Sequence, residues 1–402
     1  MEQERREHLY TQKLFPIVNN EDLLEFRVPP NPKGQLELAN VYLHFMLTLP
    51  KASDDSEIAW PQNLVGPKQF SSLEVRVNGE ALTRRSCAGE YWLRSYFQNM
   101  LNYSLDYQQS AFQTIGIFDF ANATTASIAN YSASTKAAQA VSRQGLDSHH
   151  RRYEIFMPID STLFYSNDLL PSNTALDLSF ERTKANVSVL STDPGKHFAN
   201  TDPLVLDDCY LLLPFKKSES LFHLERNAIQ RPIKINYDDY LIKRFNVPKG
   251  TRNVMMSDIV SGPLPSKIFW GMLLMDSYTG SYNHSSTRFS HMKMNKTSMF
   301  INGKLADGFP WKFSTDSVAI PFAKFLDNAR QFQNAYLSRT LSPLEFLDSN
   351  FIMSATIPPD SSGSLSFEFQ FDEALSKDLV LIVCSIYDKT MRIDHRRNFQ
   401  IT

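Results

Sequence analysis

The residues suited to chemistry are few, and their spacing suits it poorly. Nine histidines are spread over 402 residues, and His149-His150-Arg151-Arg152 is the one cluster. Neighbouring side chains on a strand point to opposite faces, so this pair makes a poor chelate. It reads instead as a solvated loop end leading into a strand over Tyr153 to Pro158. His284 and His291, seven residues apart in a Ser-rich loop, are a weak metal candidate. Asp207-Asp208 and Asp238-Asp239 are acidic pairs, but strand neighbours do not converge on a substrate, so no general acid or base is assigned. Phosphate-binding Gly-x4-Gly-Lys-Ser/Thr, Gly-x-Gly-x-x-Gly, Gly-x-Ser-x-Gly and His-Glu-x-x-His are all missing from the sequence. The expectation is no catalytic residue, no cofactor and no metal.

Cys87, Cys209 and Cys384 are far apart and odd in number, which argues against a disulfide framework and for reduced, buried thiols. Six Asn-x-Ser/Thr sequons, at Asn102, Asn122, Asn130, Asn186, Asn283 and Asn295, matter only in a secreted protein. The start, Met1 to His8, has no apolar stretch of the signal-peptide kind, and no apolar run reaches the roughly 18 residues of a membrane span. A reducing, soluble compartment is the expectation. Lys plus Arg is 41 and Asp plus Glu is 43, a net charge of −2 that gives no electrostatic footprint for nucleic acid. The basic tail Arg392, Asp394-His395-Arg396-Arg397-Asn398 reads as a solvated C-terminal strand before it reads as a phosphate contact.

The elements around these residues are mostly strands. Apolar segments are short, rich in Val, Ile, Phe, Tyr and Thr, and bounded by Pro, Gly, Asn or Asp, which is the pattern of sandwiches or barrels. Leu36 to Leu49 reads as one long strand. Leu73 to Val77 alternates strictly into Asn78-Gly79, a tight-hairpin signal. Ala175 to Thr183 and Leu365 to Asp372 alternate in the same way. Helical spacing is confined to Glu90 to Leu101, Phe322 to Phe332 and a short stretch at Leu221 to Ile229. Gly is 14 of 402 residues, and the 21 Pro gather at strand ends, among them Pro29-Pro30, Pro158, Pro214, Pro248 and Pro263.

The order of elements repeats. Each half has a long apolar strand (Leu36 to Leu49, Lys267 to Met275), then a strand ending in Asn-Gly (Asn78-Gly79, Asn302-Gly303). An amphipathic helix and an alternating strand follow in each. Two similar β domains are expected: an N-terminal arm at 1–20, a first domain at 21–217, a linker helix at 218–229 and a second domain at 230–402. The arm, with its apolar knot Leu14-Phe15-Pro16-Ile17-Val18, is either frayed or laid against a partner. The Ala/Ser/Thr-rich stretch 121–148 is too long for a turn and reads as a surface loop or an interface element.

The stretch Ser261-Gly262-Pro263-Leu264-Pro265-Ser266-Lys267-Ile268-Phe269-Trp270-Gly271 continues through Asp276-Ser277-Tyr278-Thr279-Gly280-Ser281-Tyr282 and Phe289-Ser290-His291 to Met299-Phe300-Ile301-Asn302-Gly303. It resembles the second half of the major capsid protein of Polinton/Maverick elements and adintoviruses. Leu38 to Leu43, Phe70 to Gly79 and Arg94 to Tyr103 resemble parts of that family's first half more loosely. Tyr278-Thr279 stands where the family has Phe-Asn, and Met292 where it has a second Phe.

The resemblance implies an all-β double jelly-roll: two tandem eight-stranded antiparallel sandwiches with a few short helices in loops. It implies a homotrimer of pseudo-hexagonal outline that packs with neighbouring capsomers in an icosahedral virion shell. The chain would be made in the host cytoplasm, and a penton or cement protein would be met through the N-terminal arm. Sequence-specific nucleic acid and a membrane span are not implied. The structural turns it marks are Asn78, Gly79, Gly262, Pro263, Pro265, Gly280, Asn302 and Gly303. Loops 121–148 and 277–298 are candidates for clasping neighbours or forming an outer tower. The alternative is a capsid-derived or lectin-like β-sandwich binding protein, with Tyr278, Tyr282, Asn283 and His284 as its loop cluster.

Overall fold

The computed structural model describes residues 8–49, 59–82, 89–102, 114–116, 151–166, 168–191, 193–194, 203–217, 233–314, 318–328, 343–358, 362–393 and 399–401. A period of two turns alternate side chains to one face, so the alternating segments form strands with one apolar side. The first half contributes β1 (His8–Leu14), β2 (Val18–Asn19), β3 (Leu23–Val28), β4 (Gln35–Glu37), β5 (Tyr42–Leu49), β6 (Ala59–Pro61), β7 (Phe70–Val77) and β8 (Glu80–Ala81). Helix α1 (Glu90–Asn102), β9 (Arg151–Pro158), β10 (Leu169–Leu170), β11 (Leu176–Arg182), α2 (Ala185–Ser188), β12 (Val189–Ser191) and β13 (Leu206–Lys217) follow. The second half contributes β14 (Ile233–Val247), β15 (Asn253–Pro263), β16 (Lys267–Leu274), α3 (Met275–Thr279), β17 (Met294–Ile301), β18 (Lys304–Leu305) and β19 (Trp311–Lys312). It ends with α4 (Ala319–Asn328), α5 (Pro343–Ser349), β20 (Ile352–Thr356), β21 (Ser362–Phe371), β22 (Leu379–Ile393) and β23 (Phe399–Ile401).

The two halves have the same topology. In the first, β1, β13, β5 and β9 lie side by side, and β3, β11, β7 and β8 form the facing sheet. In the second, β14, β22, β16 and β20 lie side by side, opposite β15, β21, β17 and β18. Each half thus places the first, eighth, third and sixth of its eight main strands in one sheet and the second, seventh, fourth and fifth in the other. All these pairings are antiparallel, as expected for two Greek keys closed on one core. Phe45 of β5 meets Phe70 of β7 edge-on at 5.9 Å, and Trp270 of β16 lies 4.5 Å from Phe367 of β21. These contacts mark the two cores.

Both Asn-Gly hairpins form, with positive φ at Asn78, Gly79, Asn302 and Gly303 as a two-residue turn between twisted strands requires. The outer faces of β7 and β11 are polar, with Arg27 paired to Asp177 at 3.0 Å and Arg76 to Glu74 at 2.7 Å. By contrast Leu379 to Ile386 of β22 is buried on both faces, because the other half of the chain covers the outer one.

Several expectations change. The segment Leu36 to Leu49 is not one strand: β4 and β5 are separated by a 3-10 turn at Leu38–Asn40 whose Leu38 is fully buried. Pro214 lies inside β13 rather than at its end. Leu212 pairs with Tyr42 of β5 and Phe215 with Leu36 of β4, so Pro214 falls opposite the break between them, where no ladder partner is needed on that side. Part of the segment read as an arm is a strand: His8–Leu14 runs antiparallel to β13 over its whole length. The third predicted helix, the loop 121–148, Cys87, His149-His150 and the tail 394–398 lie outside the described residues.

Candidate functional site

A dense arrangement of buried polar and aromatic groups lies where the two sandwiches meet, and helix α1 builds it. Tyr91 points into the first core, edge-on to Phe70 at 6.0 Å and to Phe180 at 5.7 Å. The next positions face the second sandwich. Trp92 is 6.3 Å from Tyr278, Tyr96 stacks on Phe289 at 5.1 Å, and Phe97 tilts against the same ring at 5.9 Å. Two apolar stripes on one short helix let it serve both cores. The Tyr96 hydroxyl donates to Asn350 Oδ1 at 2.8 Å, which satisfies a polar group far from water.

Phe289 is the wedge between the halves. It is fully buried and lies against Gly271 of β16, where an added Cβ would come within 2.6 Å of its ring and 2.9 Å of the Phe351 carbonyl. Only glycine allows that approach. One turn earlier on α1, Arg94 pairs with Glu90 at 2.8 Å, with side chains 8% and 9% exposed, and Arg94 also donates to the Tyr240 carbonyl of β14 at 3.0 Å. The 3-10 turn Thr162–Tyr165 packs on the same strand.

A second polar cluster closes the seam. Lys68 Nζ, with no solvent exposure, donates to Gln62 Oε1 at 3.0 Å and to Thr287 Oγ1 at 3.2 Å. Gln62 Oε1 also accepts from the Ser286 backbone N–H at 2.9 Å, and Ser286 Oγ donates to the Val187 carbonyl at 3.0 Å. Asn186 Nδ2 donates to the Gly280 carbonyl at 3.2 Å, and a Cβ at Gly280 would meet the Asn186 side chain at 2.5 Å.

Burial alone holds the Lys68 amine well below the usual lysine range. A base depressed in the folded state is a penalty at neutral pH, and that penalty shrinks as pH rises toward 10.5. Lys68→Met leaves Gln62 with its Ser286 donors and Thr287 with Ser285. The variant is expected to be more stable than the parent at pH 7 by about 1–2 kcal/mol, with the gain lost at alkaline pH. Urea unfolding at pH 7 and 10 checks this; a Lys68→Met chain that is less stable at pH 7 overturns it.

His291 is buried in an aromatic box, edge-on to Phe351 at 4.7 Å and to Phe313 at 5.5 Å, and among the described residues neither ring nitrogen has a hydrogen-bond partner. Burial pushes its pKa down from 6.5 to about 4, opposed in part by Asp372. The depressed value makes the neutral ring the stable form, so stability is full above pH 6.5 and is lost as pH falls toward 4. The difference corresponds to at most about 3 kcal/mol, and local relaxation around the protonated ring brings the expected loss to about 2 kcal/mol. His291→Phe should flatten stability between pH 7 and 4 by that amount in denaturant titrations. An unchanged slope contradicts this account of the ring.

The residues singled out in the sequence divide clearly. Gly262 and Pro263 end β15, pairing with Gly363 and Ser362, and β16 starts after Pro265. Gly280, at φ 107°, ends α3 inside the seam. Within the segment 277–298, Ser277, Tyr278, Ser285 to Thr287 and Phe289 are buried, and Trp92, Tyr96, Gln62, Lys68 and the Val187 carbonyl of the first sandwich contact this stretch, so these residues serve the seam rather than an outer tower. Tyr278, packed against Trp92 and beneath Arg244, cannot act as an exposed sugar-stacking ring. Cys209 and Cys384 are free and buried; burial pushes the Cys209 thiol up to about 12 and Cys384 further. Asp207 and Asp208 are exposed at a register shift of β13, and Asp239 pairs with Lys389. Among the described residues no three His, Cys, Asp or Glu side chains are grouped to hold a metal, and no helix is long and apolar enough to cross a membrane. Lys68, Gln62 and Asn350 carry no sequence signal, because isolated polar residues have no period. Glu90 and Arg94 did have a readable signal in their i,i+4 spacing.

No protein-family model matches the chain, and no curated protein matches it by sequence. Solved structures do. The Sputnik virophage structure aligns at TM-score 0.62 with 10% identity, over 98% of this chain and 88% of that one. The PBCV-1 virus capsid aligns at 0.61 with 8% identity, over 100% and 98%. The mavirus major capsid protein aligns at 0.57 with 11% identity, over 98% and 90%. The chain has the double jelly-roll fold. Full-length alignment at such low identity means that strand order and sheet packing are shared while nearly every side chain differs. The double jelly-roll here is joined by its own α1, Phe289 and Lys68.

Proposed function

We propose that the chain is a major capsid protein that trimerises into pseudo-hexagonal capsomers and builds an icosahedral shell. The observation that carries this reading is the fusion of two sandwiches of identical topology across a buried seam. Such a unit offers two similar lobes, and three units offer six, which suits hexagonal tiling under plain rotational symmetry. The similarity to the PBCV-1 capsid and the mavirus major capsid protein supports it. A permanent interface of this type buries more than about 2,000 Å².

On this reading the chain is a structural protein of the virion, made in the host cytoplasm, and its role is packing rather than catalysis. Its first domain runs over 8–217, because β1 is the first strand of that sandwich, with a linker over 218–229 and the second domain over 230–402. The arm at 1–20 is then partly a structural strand, and contact with a penton or cement protein falls to the residues before β1. Membership of the Polinton/Maverick and adintovirus lineage rests on the stretch Ser261 to Gly303.

Negative-stain electron microscopy of the purified chain tests the reading. Hexagonal particles or closed shells are the expected images. A uniform field of two-lobed monomers at micromolar concentration overturns it.

A further inference from the structure

The loop that carries the Phe289 wedge also carries a buried imidazole with nothing to bond. His291 stands two residues after Phe289, is 5% exposed and lies edge-on to Phe351 and Phe313. Among the described residues neither of its ring nitrogens has a hydrogen-bond partner. A neutral ring leaves one N–H and one lone pair unmet there. A protonated ring adds a second unmet donor and an unpaired buried charge, which costs far more. The site therefore suits the neutral ring.

Phe351 is where that charge would be felt. Its ring faces His291 at 4.7 Å, and its backbone N–H donates to the Phe289 carbonyl at 3.0 Å. The adjacent Asn350 bridges Phe289 in parallel and accepts from the Tyr96 hydroxyl of α1 at 2.8 Å. Two neighbouring residues thus hold the wedge by its backbone, hold the first sandwich through Tyr96 and wall the imidazole with a ring. The rest of the loop is anchored in the second sandwich, with the Ser290 N–H on the Met272 carbonyl of β16 at 3.2 Å. Just past His291, Met292 and Lys293 both hold a φ of 53°, a left-handed pair that only surrounding contacts keep in place.

The charged groups nearby are engaged elsewhere. Asp372, just past β21, favours the protonated ring, but its Oδ1 accepts from Asn295 Nδ2 at 2.7 Å. Lys293 is exposed and pairs with Glu373 at 3.0 Å, and Lys312, next to Phe313, is exposed. Ser349-Asn350-Phe351 and the Met272 end of β16 bring no charge. We infer that His291 is an acid-operated latch on the seam: protonation displaces Phe351 and frees the Phe289 wedge, so the sandwiches disengage while each keeps its own core. The latch is closed above pH 6.5, where the ring is neutral, and is lost as pH falls toward 4. It works within one chain and does not depend on self-assembly.

Hydrogen–deuterium exchange of the full chain at pH 7 and pH 4, read by mass spectrometry and corrected for the intrinsic pH dependence of amide exchange, tests the latch. In the parent, protection in α1 and in 285–291 should fall about 30-fold at pH 4. The core strands β11 and β21 should stay protected. In His291→Phe, with circular dichroism matching the parent, the seam should keep its protection at both pH values. His291→Leu repeats the comparison with a smaller side chain if Phe overfills the box. Glu90, Arg94 and Lys68 of the seam are common to all three chains, so acid loss through any of them persists in both variants. A parent seam that stays protected at pH 4 overturns the latch, and so does a loss that both variants share. Loss of protection in β21 together with the seam would show general acid unfolding and overturns it as well.

Discussion

Phe289→Ala is expected to cost about 3–5 kcal/mol of folding stability, the range for emptying a fully buried aromatic site. The ring has no solvent exposure and touches Tyr96 and Phe97 of α1 on one side and Gly271 of β16 on the other. Those walls come from different sandwiches and from a sheet, so the space cannot collapse as one between two loose helices would. The cavity also removes the wedge that couples the halves. Unfolding in guanidinium should therefore change from one transition to two as the sandwiches separate in stability. A loss under about 1 kcal/mol with a single transition would show that the seam repacks and that Phe289 does not couple the halves.

Arg94→Met is expected to have an effect of similar size by a different route. Glu90 and Arg94 are both almost fully buried, and the guanidinium also caps the Tyr240 carbonyl of β14. Removing Arg94 takes a buried cation away from the Glu90 carboxylate and a charged donor away from the Tyr240 carbonyl, which costs about 3–5 kcal/mol. The paired change Glu90→Gln with Arg94→Met removes the stranded charge and should recover most of that loss. Denaturant titrations of the parent, Glu90→Gln, Arg94→Met and the paired variant form a double-mutant cycle. If the double variant is no more stable than Arg94→Met, the charge pair is not the source of the cost.

Much of the fold is legible in particular residues. Leu176, Leu178 and Phe180 alternate with Asp177, Ser179 and Glu181, and the structure puts the first set in the core. The two Asn-Gly hairpins and the two helices that follow them are readable from turn chemistry and helical spacing, and so is the repeat they define. What was not legible depends on partners distant in sequence. His8-Leu9-Tyr10-Thr11-Gln12-Lys13-Leu14 has no clear period, and it becomes a strand because β13 offers it an edge. The Ser-rich stretch around Ser285 to Thr287 reads as a solvated loop, yet it is buried because Gln62, Lys68 and the Val187 carbonyl satisfy its polar atoms. Pro214 sits mid-strand because β4 and β5 break opposite it.

The native mass of the purified chain, by multi-angle light scattering at micromolar concentration, bears most directly on the central claim that this protein exists to pack against copies of itself. A species near 138 kDa, three copies of the 46.0 kDa chain, is the expected result. A stable 46.0 kDa particle that persists as concentration rises would contradict it.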